Sequence, residues 1–522
     1  MHWITDWYAQ ELPKHNIDVC WPFLRRAKPF MKNIHDIHSE IALYRIQNER
    51  YDGNRLKIGQ QIKDQNRKES FEMKNQETEQ KQRYGLLTAV TLITGTVIGS
   101  GIFFKASSVL TATNGSVPLG ILMFAMAALA IIFGSLAVGQ VSARTDKPGG
   151  IMTYYEEFIS PRMACAYGWF EVFIHYPAII AVLSWIVGVY FCTLFNIEGS
   201  LLLQCGIGTV WILICFAFNA LSRKGGGYFQ NASTFIKLVP LLLVAIFGLI
   251  LGDPITALKA RPIAANSASG LLAAVGPLCF AYDGWHVATF VQSDIKNPKR
   301  NMPLALSITP IIITIIYICY FWGISGILGP EKVMEMGSAH VAAAMEKILG
   351  PLGGRVFFIF VIISVMGTVN GEAMGLCRTP YALSLRNMFP AAKKLSVMNK
   401  ADMPINSCLL SMVLSLAWMV VHYLCQTTGI LGGSDVSEIA IMSSYLLYIP
   451  LYYVVFRLWR QKEIKSVFMG LIVPVLAVLG SAIAILGGLQ NPLFIWYLLI
   501  CFAILLIAYF YYGRHKNDIH SV

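Results

Sequence analysis

GTVIGSGIF, Gly95 to Phe103, sits in the middle of the first long apolar segment of the chain. Glycine weakens a helix interior by about 1 kcal/mol relative to alanine. Glycines at this spacing therefore predict a membrane-spanning helix that unwinds at its midpoint. Backbone left unpaired at bilayer depth survives only where it is buried in protein or lines a wet cavity. Such a break presents amide N–H groups at the start of one half-helix and carbonyls at the end of the other. These ends hold small charged solutes. The stretch predicts a polytopic membrane bundle with a solute site near its centre.

Composition points the same way. The 522 residues are 56% hydrophobic and 13% charged, which excludes an ordinary soluble domain. Apolar runs recur from Tyr84 to Tyr512, and about twelve can cross a hydrocarbon core of about 30 Å. Their approximate bounds are 84–113 (broken), 117–141, 163–195, 200–221, 227–251, 270–292 (broken), 303–328, 352–386, 404–425, 436–458, 466–488 and 492–512. Loops on one side carry most of the basic residues, among them Arg144, Lys147, Arg223, Lys296, Lys393 and Arg457, whereas the other side has Lys259, Arg261, Lys332, Lys347 and Arg355. This asymmetry predicts cytoplasmic amino and carboxyl termini and an even number of spans. The net charge of +12 is scattered over these loops, so it reads as topogenic and not as a nucleic-acid surface.

The eleven cysteines have no paired spacing and most lie inside apolar segments, where they act as small hydrophobes in helix packing. Residues 1–83 are a polar tail with no spanning run and no signal peptide; 84–512 is the membrane domain and 513–522 a second tail. Met73 opens a hydrophilic lead-in to the first span and is a candidate start; the first 72 residues are expected to be dispensable. An amphipathic segment near 41–62 is the regulatory alternative.

A second interruption, GPLCFAYDGW from Gly276 to Trp285, breaks the sixth apolar run. Paired breaks in corresponding spans point to an inverted repeat, spans one to five and six to ten, with the site at the midplane. The N–H groups near Gly99, Ser100 and Gly101 can hold a carboxylate, assisted by the helix dipole. Carbonyls freed around Phe280, Ala281 and Asp283 can accept from an ammonium group. Together they read the backbone shared by every α-amino acid.

These motifs resemble those of the amino acid–polyamine–organocation superfamily, nearest its L-type amino acid transporter branch and bacterial serine/threonine-exchanger-like relatives. GTVIGSGIF is similar to the first-helix motif, and Lys147-Pro-Gly-Gly150 with Tyr154 and Tyr155 to the entry to the third helix. Gly168 to Val182 resembles the third helix itself. FAYDGW with Asn297-Pro298 resembles the sixth, and Val369-Asn370-Gly371 with Arg378 the eighth. The resemblance covers 84–512. It implies an all-α membrane protein of about twelve helices, a 5+5 inverted repeat with discontinuous helices 1 and 6. It also implies sodium-independent transport of amino acids across the plasma membrane, by exchange or proton symport, with neutral amino acids the expected substrates. The implied site is Gly99, Ser100 and Gly101 for the carboxylate and Phe280, Ala281 and Asp283 for the ammonium, with Phe280 as an aromatic lid. Animal members pair with a glycoprotein through a cysteine between spans three and four. The loop near 196–200 has none, so no disulfide-linked heavy chain is expected. No cofactor is implied, and the partners are the substrate and the lipid bilayer.

Three charged residues fall at bilayer depth in this reading. Lys237 in FIKLVP costs on the order of 2.5–3.5 kcal/mol on insertion scales, which marks it as functional. The resemblance places it where sodium-coupled cousins hold an ion. Asp283 stands where many relatives carry glycine and Glu372 where many carry a small or neutral residue; each can bear on coupling, gating or substrate charge, with a structural cap the alternative for Asp283 and a structural pair with Arg378 the favoured alternative for Glu372. Glu171 reads as helix packing, and His175 and His286 as isolated histidines without a second metal ligand. The alternatives are a polyamine carrier, which would exploit Asp283, a membrane enzyme, for which no catalytic loop cluster is visible, and a membrane-embedded amino acid sensor with its tail.

Overall fold

The structure, a computed structural model, describes residues 85–515 except 146, 148, 261–267, 400–402, 432–434 and 492. The expectations for the tail, including the segment near 41–62 and the lead-in from Met73, lie outside the described residues.

Every regular element described is helical. Helices α1 (Leu86–Val97) and α2 (Ser100–Ala112) are the two halves of the first span, and α3 (Val117–Ser142) is the second. A short α4 (Gly150–Phe158) leads into α5 (Pro161–Phe170), which continues through a π turn at Glu171–His175 into α6 (Tyr176–Leu194). Next come α7 (Leu201–Leu221) and α8 (Arg223–Ile250), then two short helices, α9 (Pro254–Lys259) and α10 (Ala268–Ala273). The sixth span is α11 (Val275–Tyr282) followed by a 3-10 segment, Trp285–Asp294. The seventh is α12 (Pro298–Leu328), and a short α13 (Pro330–Met336) precedes α14 (His340–Ser384). Beyond α15 (Ala392–Leu395) lie α16 (Ile405–Thr428), α17 (Val436–Arg460), α18 (Val473–Gly488) and α19 (Phe494–His515).

Ten helices among the described residues are long and apolar enough to cross a membrane. The two broken spans, too short in each half to qualify, account for the rest of the twelve expected. Local sequence explains several boundaries. Ser116, Ser160 and Ser200 each accept from a backbone N–H in the first turn of α3, α5 and α7, and proline follows closely in the first two. Gly350, at φ 75°, kinks α14, so its membrane-spanning part begins after it, as the apolar run from 352 predicts.

Packing follows the expected repeat. Among the first four spans, each contacts the span five positions later: α1 and α2 the sixth span, α3 the seventh (α12), α6 the eighth (α14) and α7 the ninth (α16). Burial separates centre from rim. The third span is 72% buried in its apolar window and α17 67%, whereas α19 is 17% and faces outward.

Candidate substrate site

Both breaks meet at the centre. Ile98 and Gly99 leave helical geometry, with φ/ψ of −74°/102° and −137°/−140°, and no side chain caps the start of α2. The first amides of α2, beginning at Ser100 and Gly101, are thus left without a capping side chain. On the other strand of the crossing, α11 ends at Tyr282, Asp283 is extended, and Gly284 takes φ 98° in the left-handed region. Glycine serves a second purpose at this point, since a Cβ on Gly284 would stand 3.0 Å from the Thr96 carbonyl oxygen. Gly101 is required by the crossing itself: a Cβ there would lie 2.6 Å from Ala281 Cα.

Between the breaks is a cavity of about 20 Å³, room for about one water molecule. Gly99, Gly101, Phe280, Asp283 and Glu372 all line it, together with Thr96, Val97 and Thr368. Its remaining wall is apolar: Ile179 and Leu183 from α6 and Ile441 from α17. Ala281, expected to offer a carbonyl to the substrate, is not among the residues that line this cavity. Its carbonyl accepts from the Tyr317 hydroxyl at 2.9 Å, and the same hydroxyl is 3.1 Å from the Val97 carbonyl. Tyr317 thereby links the two unwound segments. It is one of 23 tyrosines, and nothing in its sequence context singles it out.

Lys237 lies one layer outside the cavity and is fully buried. Its ammonium donates to the Gly95 carbonyl and, at 3.2 Å, to Thr368 Oγ1. Thr368 passes the contact on to the Ser364 carbonyl at 3.1 Å. One cation therefore ties α8 to the broken first span and to α14. Both acceptors are neutral.

A cluster that the sequence reading scattered is brought together beside Asp283. The π turn puts Glu171 and His175 on one face, with His175 Nδ1 3.2 Å from Glu171 Oε2. His175 Nε2 lies 3.6 Å from Asp283 Oδ2, and His286 Nε2 3.9 Å from Glu171 Oε2. The imidazole centroids of His175 and His286 are 5.2 Å apart. The reading of these histidines as isolated is thus corrected, and Glu171 is not simply a packing residue. The signal for the first pair was present as an i, i+4 spacing on one helix. The second pair arises only from the helix crossing.

On the opposite side of Phe280, Lys105 of α2 reaches the start of α17. It donates to Asp435 Oδ2 at 2.8 Å and to Glu438. Its ammonium stands 5.1 Å from the Phe280 ring centroid, a cation–π distance. Asp435 also caps α17, accepting from the N–H groups of Ser437 and Glu438 at 3.0 and 3.1 Å.

Two crossed, interrupted helices around a buried polar cavity define a membrane carrier of the broken-helix type. The sequence profile of the amino acid permease family matches residues 84–515, and the chain belongs to that family. The family is one of transporters, not enzymes. The serine/threonine exchanger SteT of Bacillus subtilis (strain 168) is 30% identical over 408 residues, 77% of this chain and 90% of that protein. The b(0,+)-type amino acid transporter 1 of Rattus norvegicus is 25% identical over 461 residues, 84% of this chain and 89% of that protein. In fold, the chain is similar to the crystal structure of MhsT in complex with L-phenylalanine, with a TM-score of 0.56 at 16% identity over 77% of this chain and 98% of that one.

Proposed function

We propose that the chain is a sodium-independent secondary transporter of neutral amino acids that works by alternating access. The observation that carries the reading is the uncapped start of α2 at Gly99, facing the second break across one cavity. The amides of Ser100 and Gly101 bind the substrate carboxylate at the positive end of the α2 dipole. The ammonium group is held from the second break by the Phe280 carbonyl and Asp283, with Val97 opposite. The cavity walls must separate to admit any amino acid, and Phe280, flanked by Lys105, is the lid that moves.

Apolar side chains at Ile179, Leu183 and Ile441 support a neutral substrate. Lys237 supports sodium independence, because its ammonium already fills the acceptors of the first and eighth spans. Glu372, in the cavity wall, is the residue through which Lys237 senses the substrate. The positive-inside loops support an orientation with both termini in the cytoplasm, and we place the protein in the plasma membrane. The loop between α6 and α7 has no cysteine from Phe195 to Ser200, so no disulfide-linked heavy chain is needed. Exchange is the favoured mode, since the relative SteT is a serine/threonine exchanger.

Uptake of a radiolabelled amino acid panel into proteoliposomes tests the reading. The expected result is uptake driven by internal amino acid and unchanged when sodium is replaced by choline. Equal uptake of decarboxylated amines, or a strict sodium requirement, would overturn it.

A further inference from the structure

Glu171, His175 and His286 are fully buried beside the cavity but form none of its surface. Binding an amino acid at the two helix breaks leaves them without a task. Ionisable groups at bilayer depth are costly, and three of them gathered with Asp283 call for a reason.

The placement of His175 supplies one. Each of its ring nitrogens faces a different carboxylate: Nδ1 is 3.2 Å from Glu171 and Nε2 is 3.6 Å from Asp283. A neutral imidazole has one N–H and one lone pair, so it would turn that lone pair toward one of the two acids. Only the imidazolium presents N–H to both. Of the cluster, Asp283 alone reaches the cavity. A bare carboxylate in that wall would attract a cationic side chain, whereas one facing an imidazolium has part of its field cancelled, His175 sharing its single charge between Asp283 and Glu171.

We propose that His175, protonated between Glu171 and Asp283, is the resident counter-ion of the substrate cavity and restricts it to amino acids without a cationic side chain. The inference rests on the transport reading above. His175 touches no substrate and acts through Asp283, so it is a positioning residue. The titratable groups facing it are Glu171, Tyr176, Asp283, His286 and Glu372. His286 lies within reach of Glu171 and has no hydrogen-bond partner on either nitrogen among the described residues.

The test compares uptake of serine, leucine, lysine and arginine by the native full-length protein and by His175→Gln, which keeps a polar side chain but no charge. The native protein should prefer serine or leucine to lysine by at least about tenfold, and His175→Gln should raise the lysine-to-leucine ratio by about tenfold or more. An unchanged ratio in a His175→Gln protein that still transports leucine overturns the proposal while leaving amino acid transport intact. Absence of uptake of any amino acid by the native protein overturns both. A measurement on the native protein keeps the proposal exposed if the variant does not fold. Lysine inhibition of leucine uptake is followed from about pH 6 to pH 9. Inhibition that is weak at the acid end supports the counter-ion; strong inhibition there, where His175 carries its proton, overturns it.

Discussion

Two lysines are buried in the central bundle, and they are held in opposite ways. Lys105 sits against two carboxylates, Asp435 and Glu438, both nearly free of solvent contact. Lys237 has only a backbone carbonyl and a threonine hydroxyl. A buried charge matched by opposite charges is a fastening: separating it leaves ions stranded in a medium of low polarity. A buried cation on neutral acceptors is held by dipoles alone, and a small change in those dipoles shifts its balance. Lys105 thus holds α2 against α17, and in the proposed transport cycle Lys237 is the residue that responds when the first span rearranges.

The largest expected effect falls on the fastening. Lys105→Met strands Asp435 and Glu438 and should destabilise the protein by about 3–5 kcal/mol, read as a drop in thermal midpoint in detergent. Restoring neutrality with Asp435→Asn and Glu438→Gln should recover most of that loss. A midpoint unmoved by Lys105→Met would break the comparison at its root. Lys237→Met leaves two neutral acceptors unmatched, a smaller penalty of about 1–3 kcal/mol. Its transport should nonetheless fall to background while the protein still reaches the membrane; normal exchange by that variant removes the responsive role.

Gly101→Val comes next. Its side chain would enter the space of Ala281 and force α2 from α11, at about 1–3 kcal/mol, and transport should vanish with insertion preserved. A third lysine sharpens the contrast from outside the bundle. Lys147 pairs with Glu157 at 2.6 Å, with its side chain 65% exposed. Glu157→Gln should cost less than about 1 kcal/mol, because solvent screens the pair. Burial pushes the Glu157 carboxyl up, but hydrogen bonds from Lys147 and Thr145 outweigh it and hold it below its ordinary value of 4.5. A carboxyl lowered on folding stabilises above its unfolded value and loses that contribution as the pH falls through the folded one. The native-minus-variant difference in midpoint should therefore shrink below about pH 4.5; a difference that grows on acidification contradicts the pairing.

The architecture was legible because the residues that set it violate helix and membrane rules in plain view. Gly95, Gly99 and Gly101 stand where a span should be strongest, and Lys237 where a charge is costliest. The same rule applied to Lys105, six residues past Gly99, would have flagged it too, and Asp435 and Glu438 carry an N-cap pattern. The bridge by Tyr317 and the joining of His175 to Asp283 were not legible. Both depend on where two broken helices cross, and no periodicity within one segment encodes the crossing. The Tyr317 contact to the Ala281 carbonyl was hidden for the same reason, since it comes from α12.

The π turn at Glu171–His175 has an evolutionary consequence. It is a single-residue insertion into an otherwise continuous span, and each residue of an α-helix advances about 100° around the axis. Deleting one residue there would re-phase the span, swinging His175 off Asp283 or turning the facing of α6 relative to α5. Descendants of this chain can therefore gain or lose the whole charged cluster through a change in length alone, without altering the chemistry of any side chain in it.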